Sequence, residues 1–522
     1  MRTISNFLEK LKNWKDNLKT YTYAFNDYDC EIADIFKQIN RGQIEDRKFL
    51  DTWRKILNNS FFEIYHPFLN NIKIRAVANR LIADSSIYGN YIFLIDKKNQ
   101  HPVLLVQFYG IADCIITPDG IYFTGLFELS RNGIWNNWAR WCMLFNLIPS
   151  VKNITTQELV YQKRQICLLL NNPRPWHHFD DDLYWFYSLK LKSDIANIPS
   201  FFLPKSFGNR IVDFQNKVCI APRIYVTSNP EFYKNQIQIR KLIYNEVVEE
   251  NQLPKFSNYD LVLWIGLAGE KRSWIEQMEG IPKIIKELQK YFTNMKIFLD
   301  GMTNLEGAKE YFSSNILFLQ NLKQKIQQII QNNILCDIEI LAGLSYREKI
   351  IICSQIDIYV GDAGTTAFIP VMICNKPAVL IGVKEQRNLY KNTNARMIDD
   401  KFCQEIDLNK SAHVRSYHAI WEGVFNLLAD EIQNIKKIKI NLIDINDINN
   451  KTENSTLIQE KQKLEEANKS LLSMDIKKKN LEIKNLEQSN ILKQFKIKEV
   501  QHSIQLKELQ IKKIEKDLQK LL

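Results

Sequence analysis

The chain has 522 residues, of which 45% are hydrophobic, and it carries a formal net charge of +11 at pH 7. This length and apolar content predict two sizeable buried cores and an appendage. The positive charge is dispersed and comes with no RNA-binding, helix-turn-helix or zinc-finger pattern, so no nucleic-acid partner is expected. No run of about 18 apolar residues occurs, and the charged N-terminal segment lacks the apolar stretch of a signal peptide, so we expect a cytoplasmic protein.

The nine cysteines are scattered along the chain, and none forms a Cys-x-x-Cys pair. An odd number of cysteines without metal-ligand spacing is typical of reduced, mostly buried thiols inside the cell. The sequence therefore indicates neither a disulfide framework nor a zinc site.

Residues 1–90 are predicted to form a helical N-terminal cap. Apolar side chains recur at helical spacing in Phe7, Leu11 and Trp14, and again between Phe49 and Leu57. This periodicity is the signature of helices with one buried face. From residue 91 the pattern changes to short apolar runs.

Residues 91–235 are predicted to form a first α/β domain. The short runs between 91 and 124 indicate strands, with Pro-Asp-Gly turn chemistry at 118–120 between two of them. An aromatic stripe at helical spacing follows in Trp135, Trp138 and Trp141. Such a stripe is typical of a helix that faces a core, and a docking surface for a membrane or a lipid-linked acceptor is the alternative.

A polar helix start follows the buried strand at 166–170. It contains His177, His178 and Asp180, directly after an Arg-Pro-Trp turn. Polar residues beyond the carboxyl end of a strand are where open α/β sheets place ligands, and a histidine beside a carboxylate can serve as general base. In the alternative interpretation the aspartates cap the helix and the histidine ring packs beneath them.

Residues 236–430 are predicted to form a second, Rossmann-like domain. Nearly continuous apolar runs at 261–267, 296–301, 336–343, 356–364 and 377–382 alternate with helical patterns. That alternation is the signature of a parallel sheet covered by helices on both faces.

The fourth of these units carries the clearest ligand motif. After the strand come Gly361, Asp362, Gly364, Thr365 and Thr366, followed by an apolar segment of helix length. A Gly-rich turn that opens a helix presents free N–H groups and a positive dipole end to phosphate. The alternative is an ordinary turn with Thr365 as the helix N-cap.

The first unit adds two cations. Lys271 and Arg272 lie in the loop after its strand, at the edge where ligands of such sheets bind. Arginine offers a bidentate fork for diphosphate oxygens, and metal-independent transfer from a nucleotide donor needs cations at the leaving diphosphate. A solvated charge pair before a helix is the alternative.

These motifs resemble those of GT-B glycosyltransferases over about residues 90–430. The Gly-Thr-Thr turn is similar to the family's donor-diphosphate site, and the Arg-Pro-aromatic-His turn resembles that of a bacterial group within it. The resemblance implies two Rossmann-like domains, a donor domain at 236–430 and an acceptor-side domain at 91–235.

The resemblance also implies roles for the site residues. It implies a nucleotide-sugar donor, a glycan or glycoconjugate acceptor and no cofactor, with His178, Asp180 and His177 as catalytic residues. No Glu-x(7)-Glu or suitably placed DxD motif occurs, which favours an inverting, metal-independent hexosyltransferase-type reaction. A GT-B-fold nucleotide-sugar epimerase and a non-catalytic scaffold with a degenerate nucleotide-binding body are the alternatives.

The C-terminal segment differs in composition from the body. Residues 431–455 are predicted to be a linker, and residues 456–522 show heptad-like spacing, for example in Leu464, Leu471 and Met474. This pattern predicts a coiled coil that makes the protein a homo-oligomer. The alternatives are a partner helix and contact of its lysines with an anionic membrane.

Overall fold

The computed structural model describes most of the chain up to residue 445. The described ranges are 2–13, 18–40, 51, 54–57, 61–84, 87–107, 112–124, 154–170, 174–188, 195–196, 202–207, 210–211, 217–221, 230–267, 273–306, 313–330, 335–382, 386–406, 408 and 415–445. Contacts divide the chain into residues 1–443 and residues 444–522. The coiled coil predicted for 456–522 and the aromatic stripe at 135–141 lie outside the described residues, so both stay predictions.

The N-terminal part contains a seven-stranded sheet with the order β1-β7-β6-β5-β4-β3-β2, in which all neighbours except β1 and β7 are antiparallel. Its strands are β1 (Thr20–Thr22), β2 (Glu63–Tyr65), β3 (Lys73–Asp84), β4 (Ile87–Asp96), β5 (Val103–Gln107), β6 (Cys114–Thr117) and β7 (Gly120–Phe123). Helices α1 (Arg2–Lys12) and α2 (Glu31–Asn40) each bury an apolar face.

This sheet corrects two sequence predictions. The helical cap does not extend to residue 90, because β3 pairs with β4 over ten register positions and this pairing decides its conformation. Residues 91–123 belong to the antiparallel sheet and not to a Rossmann-like domain. A short apolar run alone does not show whether its partner strand runs parallel or antiparallel.

A small parallel sheet follows, with the order β10-β9-β8-β11. Its strands are β8 (Gln165–Leu169), β9 (Ile195–Ala196), β10 (Arg210–Ile211) and β11 (Lys217–Ile220). Side-chain amides of the first sheet pair with the main chain of β11: Asn90 donates to the carbonyl of Cys219 (2.8 Å), and Gln107 accepts from the N–H of Ala221 (3.0 Å). These contacts join the two sheets.

The third sheet has six parallel strands in the order β14-β13-β12-β15-β16-β17. The strands are β12 (Leu261–Gly266), β13 (Asn294–Asp300), β14 (Leu335–Ile340), β15 (Ile358–Asp362), β16 (Ala378–Ile381) and β17 (Ala395–Met397). The five predicted alternating units are confirmed as parallel strands. The sixth strand was missed because it has only three residues in a polar stretch.

The strand order is that of a doubly wound sheet, 3-2-1-4-5-6. The chain adds strands on one side of β12 first and then on the other, so the switch point lies between β12 and β15. Along β12 the side chains alternate between two apolar cores, with Trp264 in one and Leu263 in the other. Both faces are therefore buried, as the continuous apolar runs predict.

Within the described ranges, seven further α-helices and two π-helices lie around the sheets. The α-helices are α3 (Leu183–Ser188), α4 (Pro230–Glu250), α5 (Gln277–Leu288), α6 (Ser313–Ile329), α7 (Tyr346–Cys353), α8 (Arg387–Tyr390) and α9 (Trp421–Lys436), and two π-helices span Trp176–Asp182 and Phe368–Ile373. A separate antiparallel pair consists of β18 (Cys403–Glu405) and β19 (Tyr417–Ala419). None of the helices in the described ranges is long and apolar enough to cross a membrane.

Candidate functional site

A cavity lies at the switch point of the doubly wound sheet, where the order in which the chain forms the strands reverses. The carboxyl ends of β12 and β15 meet there, with Gly266 and Gly361 as register partners. The wall is mostly apolar, with Gln277, Asp362 and Tyr417 among its polar residues. The lining consists of Leu263, Ile265, Gly266, Leu267, Trp274, Gln277, Ile281, Ile284, Ile285, Val360, Gly361, Asp362, Ile381 and Tyr417. Ligands of open α/β sheets bind at this position of the fold.

The two glycines at this edge make room for a buried tyrosine. The Tyr359 hydroxyl lies near the main-chain carbonyl of Asp362 (3.2 Å) and the hydroxyl of Thr366 (3.1 Å). A Cβ atom on Gly266 would lie 2.0 Å from the Tyr359 hydroxyl oxygen, and one on Gly361 would lie 2.2 Å from the carbonyl oxygen of Gly266. The close packing of Tyr359 therefore explains Gly266, and the main chain of Gly266 together with Tyr359 explains Gly361, both without a ligand.

We expect Gly266→Ala to lower the free energy of unfolding by about 1–3 kcal/mol, since the added methyl group overpacks the edge. Its nearest obstacles are all atoms of the Tyr359 ring. The cost should therefore fall in a Tyr359→Leu background, measured by urea denaturation. Gly361→Ala is the matched control, because its nearest obstacle is the carbonyl oxygen of Gly266 (2.2 Å), so the same background should relieve its cost only in part. An equal cost of Gly266→Ala in both backgrounds would contradict this explanation.

Asp362 is fixed by a residue that the sequence did not single out. The hydroxyl of Tyr417 donates to the Asp362 carboxylate (2.8 Å), and both side chains are buried. Burial is the main reason that the pKa of Tyr417 lies well above its ordinary value, and the negative charge of Asp362 is the second reason. Tyr417 lies 55 positions further along the chain in a short strand, so no local pattern connects the two residues.

The turn after β15 differs from the predicted regular helix. Gly364 precedes a single 3-10 turn at Thr365–Ala367, and the π-helix Phe368–Ile373 follows with Pro370 inside it. Proline lacks an N–H group, which disfavours a regular α-helical ladder here. The side chain of Thr365 is exposed and that of Thr366 is half-buried. Tyr390 donates to the carbonyl of Gly364 (2.8 Å) and so fixes the turn.

Two of the three predicted catalytic residues are in the core. His178 is completely buried, its Nε2 atom lies 2.6 Å from the carbonyl oxygen of Phe202, and its ring stacks on that of Tyr346. Asp180 is also buried, and both its carboxylate oxygens accept from Arg240 (3.0 and 2.5 Å). In this conformation both side chains are buried from an acceptor hydroxyl, which favours the alternative interpretation of a packed histidine ring, and their roles as base stay predictions.

His177 differs from these two residues because its side chain is only half-buried. The preceding residue, Trp176, connects this turn to the Gly-Thr-Thr turn: its ring lies 4.6 Å from that of Phe368 and 6.3 Å from that of Tyr390. The structure therefore brings together two of the three sequence motifs. His177 is the member of the predicted catalytic group that the geometry leaves accessible.

The third motif, Lys271 and Arg272, lies outside the described residues. The residues that flank its loop, Leu267 and Trp274, both line the cavity. The N–H of Ile275 donates to the carbonyl of Tyr417 (3.0 Å), and Trp274 and Tyr417 form a bridge. Both ends of the loop are thus anchored at the cavity. The roles of the two cations stay predictions.

A buried ion pair borders the same edge of the sheet. Lys349 on α7 donates to the carboxylate of Asp300 (2.6 Å), the carbonyl of Gly301 (2.9 Å) and the hydroxyl of Thr303 (2.9 Å). These contacts tie the loop after β13 to α7. The partners are more than 40 positions apart, so sequence spacing could not reveal them.

The fold and site together define an α/β protein with a small cavity at the switch point of a doubly wound sheet. No protein-family model matches the sequence, and no curated protein matches it. One solved structure that matches, described as a "putative UDP-N-acetylglucosamine 2-epimerase" from Listeria monocytogenes, has a TM-score of 0.25 and 9% identity, covering 49% of this chain and 64% of that chain. A match at this TM-score supports no conclusion about fold or function. Among the described residues, no cluster of His, Cys, Asp or Glu is placed to hold a metal ion.

Proposed function

We propose that this protein binds a nucleoside diphosphate sugar at the carboxyl edge of the six-stranded sheet and transfers the sugar to a glycan or glycoconjugate acceptor. The observation that carries the proposal is the switch point between β12 and β15, where the loops after both strands start from one edge of the sheet. Doubly wound sheets bind nucleotides at this position, with phosphates near the loops after the strands. The cavity itself, of about 20 Å³, has room for about one water molecule, so the base and ribose would lie outside it, and the polar loops suit the diphosphate.

The loops that follow β12 and β15, and the turn with His177, would supply the contacts to the substrates. Gly364, Thr365 and Thr366 contact the phosphates, and Lys271 and Arg272 take up the negative charge of the leaving diphosphate. His177, on the turn that Trp176 packs against this region, deprotonates the acceptor hydroxyl. An enzyme that epimerises the nucleotide sugar would use the same donor site, and a scaffold would need none.

The first test is nucleotide binding by the full chain. We expect calorimetric titration with a panel of nucleoside diphosphates to find one that binds, and Arg272→Ala to weaken its binding by about 1.5–3 kcal/mol, as expected for a lost charge-assisted contact. Binding of the parent nucleoside should change little. Arg396→Ala, which removes a surface arginine paired with Asp430, is the matched control. If no diphosphate binds, the proposed function fails; if Arg272→Ala changes nothing, the diphosphate contact is wrongly assigned.

The second test is turnover. His177→Ala should lower kcat about 10²-fold with little change in donor affinity, since a general base acts in the transition state. His178→Ala is the informative comparison, because it should reduce stability through the lost Phe202 contact. NMR of the donor distinguishes the reactions: transfer releases nucleoside diphosphate, whereas epimerisation produces a second nucleotide sugar. Full activity of the His177 variant would remove this residue from the mechanism.

A further inference from the structure

Two cysteines face each other in the small parallel sheet. Cys167 on β8 and Cys219 on β11 are register partners, their Sγ atoms are 3.2 Å apart, and both side chains are completely buried. Neighbouring strands lie about 4.8 Å apart, and disulfides span Cα separations of about 4.4–6.8 Å. The main chain is therefore already placed for a disulfide.

The surrounding contacts hold the two strands in this register. The N–H of Cys219 donates to Asn79 (3.3 Å), and the carbonyl of Cys219 accepts from Asn90 (2.8 Å). Both amides belong to the antiparallel sheet, so β11 is fixed from the side opposite β8. Because Cys219 cannot move away from Cys167 without breaking these bonds, the local concentration of one thiol at the other is high.

We propose that Cys167 and Cys219 are an oxidation site that hydrogen peroxide converts to an intramolecular disulfide. One thiolate attacks the O–O bond, which gives a sulfenic acid and releases hydroxide. The second thiolate attacks the sulfenic sulfur, forms the S–S bond and expels a second hydroxide. The two thiol protons convert both hydroxides to water, so peroxide is reduced as the cysteines are oxidised.

The cross-link would act on the part of the chain that leads into the candidate site. β8 ends at Leu169, and the turn with His177 begins at Arg174, shortly after it. Tying β8 to β11 closes a loop between residues 52 positions apart, which restricts the unfolded chain. The hydrogen bond with Cys167 and burial raise the pKa of Cys219, so oxidation should be faster at higher pH.

The test treats the full chain with hydrogen peroxide, unfolds it in denaturant with iodoacetamide to block the remaining thiols, and maps the peptides by mass spectrometry. The expected result is a peptide pair joined through Cys167 and Cys219, and this pair should form faster at about pH 8.5 than at about pH 7. Its formation should raise the melting temperature by about 2–4 °C, and dithiothreitol should reverse the rise.

Two variants sharpen the test. Cys167→Ser should abolish both the joined peptides and the rise in melting temperature, and Cys219→Ser should do the same if the first variant folds poorly. Cys403→Ser is the control, because Cys403 is only half-buried and bonds to the carbonyl of Gly382. If Cys167 and Cys219 remain alkylated separately, or Cys167 becomes a sulfinic acid without any joined peptide, the proposal is overturned.

Discussion

Arg240→Met should lower the free energy of unfolding by about 3–5 kcal/mol, the cost of leaving one member of a buried ion pair uncompensated. Arg240 donates to both carboxylate oxygens of Asp180, and neither side chain is more than 7% exposed. The guanidinium also lies 5.4 Å from the ring centroid of Phe368 and 6.0 Å from that of Trp176. The variant therefore loses contacts both to the segment Trp176–Asp182 and to the segment Phe368–Ile373 after the Gly-Thr-Thr turn.

A surface arginine provides the control for this measurement. Arg396 pairs with Asp430 while both side chains are 47% exposed, so Arg396→Met should cost only about 0–1 kcal/mol. Asp180→Asn combined with Arg240→Met should recover part of the loss, because no buried charge then remains unpaired. Urea denaturation measures all three values. A cost for Arg240→Met no larger than that for Arg396→Met would mean that the buried pair does not hold the two segments together.

The parallel sheet could be predicted from the sequence because its strands are continuous apolar runs between helical patterns. Burial on both faces leaves this signal even when the order of the strands is unknown. The antiparallel sheet was harder to predict. Residues 73–84 become a strand by pairing with residues 87–96, which follow them directly, and this pairing decides their conformation more than their own propensity does.

The position of the candidate site could be predicted more closely than the roles of its side chains. Loops after parallel strands share one edge, so chain connectivity alone places the Gly-Thr-Thr turn there. Which histidine is accessible depends on local winding, and Trp176–Asp182 forms a π-helix instead of the expected α-helix. Its wider turn changes which residues share a face, so His178 and Asp180 point into the core.

Long-range partners account for the remaining failures. Asp180 appears in the sequence as an acidic residue beside two histidines, while its partner Arg240 lies 60 positions away on α4. Tyr417 and Lys349 likewise meet Asp362 and Asp300 only in the folded chain. Residue type and spacing therefore located the motifs, whereas the partners of the side chains could be identified only from the tertiary structure.

Lys349→Met should lower the free energy of unfolding by about 3–5 kcal/mol, because it leaves the buried carboxylate of Asp300 without its cation. Lys349 is completely buried, and the side chain of Asp300 is 5% exposed. The variant also loses the two contacts to Gly301 and Thr303 that tie the loop after β13 to α7. Urea denaturation at pH 7 measures the loss.

The pH dependence and a second lysine distinguish this cause from a simple packing defect. Burial holds the pKa of Asp300 above its ordinary value. A carboxyl whose folded-state pKa is raised destabilises the fold as pH rises above its unfolded-state pKa, so the deficit of Lys349→Met should shrink as pH is lowered toward that value. Lys296→Met is the control: its partners Asp337 and Glu339 are 51% and 47% exposed and can be solvated, so its cost should be about 0–1 kcal/mol. A Lys349→Met deficit that stays constant with pH would show that lost packing, and not the uncompensated charge of Asp300, causes it.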